Sequence, residues 1–270
     1  MSAVLRVTIL GCGSSGGVPR IGNDWGACDP QEPRNNRKRC SVLVERVRDN
    51  ETTRVLIDTG PDLRQQMLEA GIGHLDAVLY THAHADHLHG IDDLRVFTIR
   101  NRRRIPVYMD TATRGRAEAA FGYCFETPAG SSYPPILEPH PLVAGQTVEI
   151  DGPGGRITFK PIEVVHGDIM SLAFKFAGIA YLPDVSHIPQ PVLPEFEGLD
   201  VFILDALRRS QHPSHFSLSD ALRCLERTKP SRAILTNMHN DLDYRTLCSE
   251  LHPGVEPAYD GLIIERPSDS

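Results

Sequence analysis

No apolar run in the 270-residue sequence approaches the roughly 20 residues that a bilayer span demands, so no membrane-spanning segment is expected. The first ten residues hold too short an apolar stretch for a secretory leader, and glycines follow where a cleavage region would lie. Paired cysteines are missing too. Cys12, Cys28, Cys40, Cys124, Cys224 and Cys248 are scattered along the chain, which points to reduced thiols in the cytoplasm and away from a disulfide framework. A basic excess is absent: 28 Lys and Arg against 35 Asp and Glu leave a net charge of −7, which argues against a general nucleic-acid binder. The local basic runs at 34–39 and 100–104 read as solvated faces. With no low-complexity linker and no internal repeat, residues 1–270 are expected to form a single domain.

What is present begins with Gly11-Cys12-Gly13-Ser14-Ser15-Gly16, which spells G-x-G-x-x-G after an apolar run. A dinucleotide cradle needs a helix to open on that motif. Here Gly17-Val18-Pro19 and Gly22-Asn23-Asp24 follow, the chemistry of irregular chain, so the stretch reads as a turn closing a first strand. Strand-like runs are expected at 5–10, 41–47, 54–58, 77–81 and 105–109, with helices at 62–70, 86–100 and 112–121. Residues 122–142 mix proline, glycine, serine and aromatics without a period and are expected to form a long loop, whose Tyr123, Phe125 and Tyr133 either pack the loop down or stack on a nucleobase. The second half repeats the pattern, with strands at 147–150, 157–165, 172–176, 179–182, 201–204, 233–236 and 262–265 and helices at 218–227 and 244–250. Two strand-rich halves with helices predict two packed sheets with helices outside.

Twelve histidines are unusually placed. In "THAHADHLHG", His82, His84, Asp86 and His87 follow a strand directly. Two apart on a helix, His82 and His84 would face different sides, whereas at a strand end both imidazoles point into one cleft. Crowded neutral imidazoles and a carboxylate are costly without a cation, and a divalent metal relieves that cost. More ligands are then needed, and His166, Asp184 and His239 each follow a β-run, where an α/β sheet edge would collect them. Together with the cluster they make a candidate binuclear centre. Arg95, on the expected helix 86–100, is a candidate for neutralising a phosphate oxygen, with a solvated helix face as its alternative. His74, His89, His140, His187, His212 and His252 receive no role.

His82, His84, Asp86 and His87 meet the signature H-x-H-x-D-H in full, and the chain resembles the metallo-β-lactamase superfamily. The resemblance implies an α/β fold, an αββα four-layer sandwich of two mixed sheets, with metals at one edge. It implies that His82, His84 and His166 hold one divalent ion, that Asp86, His87 and His239 hold another, and that Asp184 bridges them. Asp58 would orient a ligand from behind. Zinc suits such ligands and manganese is the alternative. "GCGSSGGVPR", "CSVLVE" and "GIDDLR" look most like the cyclic-phosphate phosphodiesterases of the carbon–phosphorus lyase pathway. Those relatives carry C-x-C-x-x-C in a zinc loop where this chain has Asn23, Trp25 and Cys28, so a separate structural zinc is not expected. The family reading implies hydroxide attack on a small phosphodiester, a cyclic ribosyl or nucleotide phosphate, with Asp86 and His215 catalytic and His215 the acid toward the leaving group. Two other readings stay open. One is a non-catalytic or redox-linked accessory protein like that of pyrroloquinoline quinone synthesis. The other is a tRNA 3′-end endonuclease, which would need a basic RNA-gripping arm. A small phosphodiester is the expected partner, with no membrane and no large nucleic acid, and a homodimer stays open.

Overall fold

The structure, a computed structural model, describes residues 3–268. Strand β1 (Ala3–Gly11) alternates buried and half-exposed side chains, the period of a strand with one face on a core. It runs antiparallel to β2 (Ser41–Arg48), which turns into β3 (Glu51–Ile57) through Asp49 and Asn50. Both turn residues have positive φ, 51° and 69°, as a tight hairpin of this hand requires. The chain then adds β4 (Ala77–Leu79), β5 (Ile105–Met109) and β6 (Leu137–Pro141), all parallel to β3.

The second sheet comprises β7 (Val148–Ile150), β8 (Ile157–His166), β9 (Ile169–Phe176), β10 (Ile179–Leu182), β11 (Val201–Asp205), β12 (Arg232–Thr236) and β13 (Val255–Pro257), in the spatial order β13-β12-β11-β10-β9-β8-β7. The last strand, β14 (Ile263–Ser268), returns to pair with β1, so the first sheet runs β14-β1-β2-β3-β4-β5-β6. Each sheet therefore has seven strands and mixed direction. Val42, Val44, Val55 and Ile57 point from the first sheet into a shared core with Phe159, Phe174, Tyr181 and Phe202 of the second. The opposite face of the first sheet, through Leu43, Leu56, Val78 and Val107, is covered by α1 (Leu63–Glu69), α2 (Ala85–Leu88), α3 (Arg95–Asn101) and α4 (Thr111–Phe121). Helices α5 (Leu218–Thr228) and α6 (Tyr244–Glu250) bury Leu218, Ala221, Leu225 and Leu247 against the second sheet. The result is the expected αββα sandwich.

Two sequence expectations are corrected. The helix expected over 86–100 is broken into α2, a 3-10 turn at Ile91–Leu94 and α3. At the break the Gly90 N–H donates to the Thr59 carbonyl at 2.8 Å, and a Cβ on Gly90 would lie 2.1 Å from the Gly60 carbonyl oxygen. The chain leaves the helix there to press its backbone against the turn after β3. The segment 122–142 is not one loop, because its end forms β6. Pro139 and Pro141 hide that strand from a sequence reading, and its edge position is where proline is tolerated.

Candidate metal centre

The parallel strands of both sheets end on the same side, and the functional side chains are collected there. Asp58 follows β3, Thr81 and His82 follow β4, His166 ends β8, Asp184 follows β10, Asp205 ends β11 and Asn237 follows β12. The sheets are joined at this edge by the Leu172 N–H donating to the Thr81 carbonyl at 2.9 Å. Asp58 and Asn237 both adopt left-handed backbone, with φ of 66° and 61°. Asp and Asn tolerate that conformation better than most residues, and here it occurs at two strand ends of the site.

Hydrogen bonds behind the imidazoles decide which nitrogens face inward. Thr81 Oγ1 donates to Asp58 Oδ2 at 2.8 Å, so it accepts from the Nδ1–H of His82 at 3.0 Å. His87 Nδ1–H donates to Asp58 Oδ2 at 2.7 Å, and His166 Nδ1–H donates to the Ser214 carbonyl at 2.6 Å. His82, His87 and His166 thus all present Nε2 lone pairs toward Asp184. The separations from the Asp184 carboxylate are 3.6, 3.2 and 3.4 Å, respectively. Ligand atoms of His82, His84, His166 and Asp184 all lie within 4.8 Å of one another, and only His84 of the four is exposed. The Nε2 atoms of His82 and His87 are buried without a hydrogen-bond partner. Orphaned buried acceptors facing a buried carboxylate are costly, and a divalent cation satisfies them at once. The donor set fits such an ion.

Electrostatics agree. Burial pushes His82 and His166 below the ordinary imidazole range, which favours the neutral, ligating form. For Asp184 burial works against ionisation, but His87, His82 and His215 together hold its carboxyl well below the usual carboxylate range. His87 shows the converse: burial opposes its charge, yet Asp184, Asp86 and Asp58 raise it well above the ordinary value. The carboxylates of Asp184 and Asp86 that raise His87 lie on its Nε2 side, where they would equally favour a divalent cation.

His87 extends the cluster to Asp86, whose Oδ2 lies 3.5 Å from His87 Nε2. His239 stands apart from the group of four, its Nε2 receiving the Arg20 guanidinium and its Nδ1 lying 3.5 Å from Asp241 Oδ1. His215 lines the edge of the centre. Its ring packs edge-on to His166 at 4.6 Å, and its Nδ1–H donates to Asp205 Oδ2 at 3.0 Å. Burial lowers His215, but the bond to Asp205 and the charges of Asp205 and Asp184 win and hold it at about 9.

Sequence reasoning missed Asp205 and Asn237. The Asn237 amide N–H donates to Asp184 Oδ1 at 3.3 Å and to Asp205 Oδ1 at 3.2 Å, tying Asp184 to the carboxylate that braces His215. The irregular "TNMHND" spacing was the only signal of it. Arg95 does not join the site: it pairs with Asp92 at 2.7 Å and lies over the Tyr123 ring. Phe125 is buried, while Tyr123 and Tyr133 are exposed, and none of the three lines a cleft at the centre. The stacking expectation is thereby corrected. Trp25 Nε1–H donates to Asn23 Oδ1 at 3.0 Å, and Cys28 lies against Arg37. The glycine-rich turn is stitched to the neighbouring strand end, with Met238 N–H donating to the Cys12 carbonyl at 2.8 Å and Ser14 N–H to the Met238 carbonyl at 3.2 Å. Its glycines serve close approach: a Cβ on Gly11 would lie 2.1 Å from the Arg39 carbonyl oxygen.

Two clefts border the centre. A large one of about 910 Å³ reaches His82 and His84, with Leu142, Val143, Ile169 and Met170 on its apolar wall. A small polar one of about 180 Å³ reaches Asp86, His215 and His239. His212, given no role from sequence, lines the small cleft.

Comparison with known proteins places these features. The profile of the beta-lactamase superfamily domain matches residues 53–238. A crystal structure of a diphosphatase from the PhnP family is similar at 35% identity and a TM-score of 0.87, over 98% of each chain. The octanoyltransferase of Porphyromonas gingivalis is 32% identical over 262 residues, 96% of this chain and 51% of that protein. Ribonuclease Z of a Bradyrhizobium species is 32% identical over 129 residues, 47% of this chain and 41% of that protein. The chain thus matches about half the length of these two curated relatives, or less. No helix among the described residues is long and apolar enough to cross a membrane.

Proposed function

Because the chain belongs to the PhnP family of the beta-lactamase superfamily, we propose that it is a metal-dependent hydrolase of a small phosphodiester. The observation that carries this reading is the convergence of inward-facing imidazole lone pairs on Asp184, next to His215, whose Nδ1–H donates to Asp205. In this reading His82, His84, His166 and Asp184 would hold one divalent ion, and Asp86, His87, His239 and Asp184 would hold a second. Zinc or manganese suits these ligands. When bound, such ions lower the pKa of water toward neutrality and offset charge on phosphoryl oxygens.

The chain's own residues do the rest. Asp58 fixes the proton on His87 Nδ1 directly and on His82 Nδ1 through Thr81, keeping both Nε2 atoms available. His215 offers a proton to the departing alkoxide, a contribution of roughly 10²–10⁴-fold for a poor leaving group. Asp205 holds that imidazole's orientation and balances its charge. Small phosphodiesters, cyclic ribosyl and nucleotide phosphates among them, are the proposed substrates. Free cysteines throughout, five of them buried, fit a reducing compartment such as the cytoplasm.

Octanoyl transfer is a poorer reading. Half of that relative lies outside the match, and burial raises the Cys12, Cys28, Cys40, Cys124 and Cys224 thiols. A thiol nucleophile needs the opposite shift.

The test is turnover of bis(4-nitrophenyl) phosphate against 4-nitrophenyl phosphate. The diester is expected to react at least tenfold faster, with activity removed by chelation and restored by zinc or manganese. Preference for the monoester, or activity indifferent to chelation, would overturn the reading.

A further inference from the structure

We infer that Arg37 is a positioning residue for the second ion: its buried guanidinium clamps both ends of the turn that begins at His239 and so fixes where that imidazole stands. The inference rests on the proposed reading of the centre, in which His239 belongs to the second ion. It goes beyond that reading in naming what holds this ligand.

His239 lies in irregular chain between β12 and α6. The left-handed Asn237 precedes it, and a turn to Leu242 follows, closed by the Leu242 N–H donating to the His239 carbonyl at 3.3 Å. The rings of His82, His87 and His166 are each oriented from behind by a hydrogen bond from Nδ1. His239 has no such support, because its Nδ1 is buried without a hydrogen-bond partner, 3.5 Å from Asp241 Oδ1. Its place must therefore be set by the backbone. On one side the His239 N–H donates to the Leu207 carbonyl at 2.8 Å. The other side is the turn.

Arg37 holds that turn. It is 1% exposed and among the bulkiest of the fully buried side chains. Nη1 donates to the His239 carbonyl at 3.2 Å, and Nη2 donates to the Leu242 carbonyl at 2.6 Å and to Asn35 Oδ1 at 3.2 Å. One rigid plane thus spans the first and last carbonyls of 239–242. Among the described residues Arg37 forms no ion pair, and its Nε is buried without a hydrogen-bond partner. A buried charge with no carboxylate beside it carries a desolvation penalty that a well-packed apolar side chain does not. What an apolar side chain cannot do is hold two carbonyls and an amide oxygen at fixed separations, which the planar fork does.

The clamp is itself anchored. The Arg37 N–H donates to the Val18 carbonyl at 2.8 Å and the Val18 N–H to the Arg37 carbonyl at 2.9 Å, two residues from Arg20, whose guanidinium faces the His239 ring. Asn35, fully buried, donates to Asp243 Oδ2 at 2.7 Å and accepts the Tyr244 N–H at 2.8 Å. Arg37 therefore joins the segment that faces His239 to the segment that carries it. None of its hydrogen bonds reaches His82, His84, His166 or Asp184, so its loss should be felt by one ion and not by the other.

The experiment titrates metal-stripped protein with zinc, in wild type, Arg37→Lys and Arg37→Met. Wild-type protein is expected to take up two ions. Arg37→Lys keeps the charge but cannot span both carbonyls, and is expected to weaken one uptake by about tenfold. Arg37→Met should weaken it by up to about 100-fold, the upper end for lost ligand support. The other uptake is expected to stay unchanged in both variants, whereas a merely structural role would weaken the two together. In a His239→Ala background Arg37→Lys should add no further loss, because it acts through His239. Should Arg37→Met not fold, Arg37→Lys and the double variant decide alone. Equal weakening of both ions, no weakening in Arg37→Lys, or an added loss in the His239→Ala background would overturn the inference. A single ion in the wild type would instead sink the two-ion reading on which it rests.

Discussion

Asp205 Oδ2 accepts the Nδ1–H of His215 at 3.0 Å, from a carboxylate fully shielded from solvent. The pair keeps a proton on an imidazole at the rim of the metal cluster. An acid of this kind matters where the leaving group needs a proton and little where it does not. His215→Ala is therefore expected to slow a diester with an alkyl leaving group by about 10²–10⁴-fold and bis(4-nitrophenyl) phosphate far less, with metal content unchanged. Steady-state rates on the two substrates check this. Equal losses would reassign His215 to positioning.

Asp58 has a different signature. Its carboxylate braces His87 directly and His82 through Thr81. Asp58→Asn should weaken metal binding by about 10–100-fold, the usual effect of removing such a support. Competition with a chromogenic chelator measures it directly. Unchanged affinity would mean that the imidazoles are oriented by packing alone.

A pH effect is also expected at the N-cap of α6. Burial works against the charge of Asp243, but bonds from the Thr246 N–H, the Asn35 amide and the Asp29 N–H lower it to about 2 from an ordinary 3.8. Because the folded value lies below the unfolded one, the stabilisation is present above pH 3.8 and is lost as pH falls toward about 2. Asp243→Ala should cost about 1–2 kcal/mol at pH 7. In urea denaturation, its gap from wild type should narrow on acidification. A gap independent of pH would remove the carboxylate's charge from the explanation.

How much of this was legible in sequence depended on locality. His82, His84, Asp86 and His87 announce themselves because strand end, turn and first helical turn are contiguous. His166 and Asp184 were readable as polar residues closing apolar runs. Asp205 was not, because "FILDA" looks like any strand end and its partner His215 lies ten residues on. Asn237 owes its place to folding, which stitches the glycine-rich turn to the end of β12 and brings the amide to Asp184 and Asp205. Strand β6 was lost to its prolines, and the break after α2 to a backbone contact between Gly90 and Gly60 that no local pattern encodes.

Asp184 is the residue on which the proposed centre turns, since its two oxygens face His87 on one side and His82 and His166 on the other. Calorimetric titration of metal-stripped protein with zinc, for wild type and for Asp184→Ala, tests that role most directly. Two ions per chain are predicted for the wild type, with both binding events weakened in the variant. A single tight ion that persists unchanged in Asp184→Ala would contradict a centre bridged by this carboxylate.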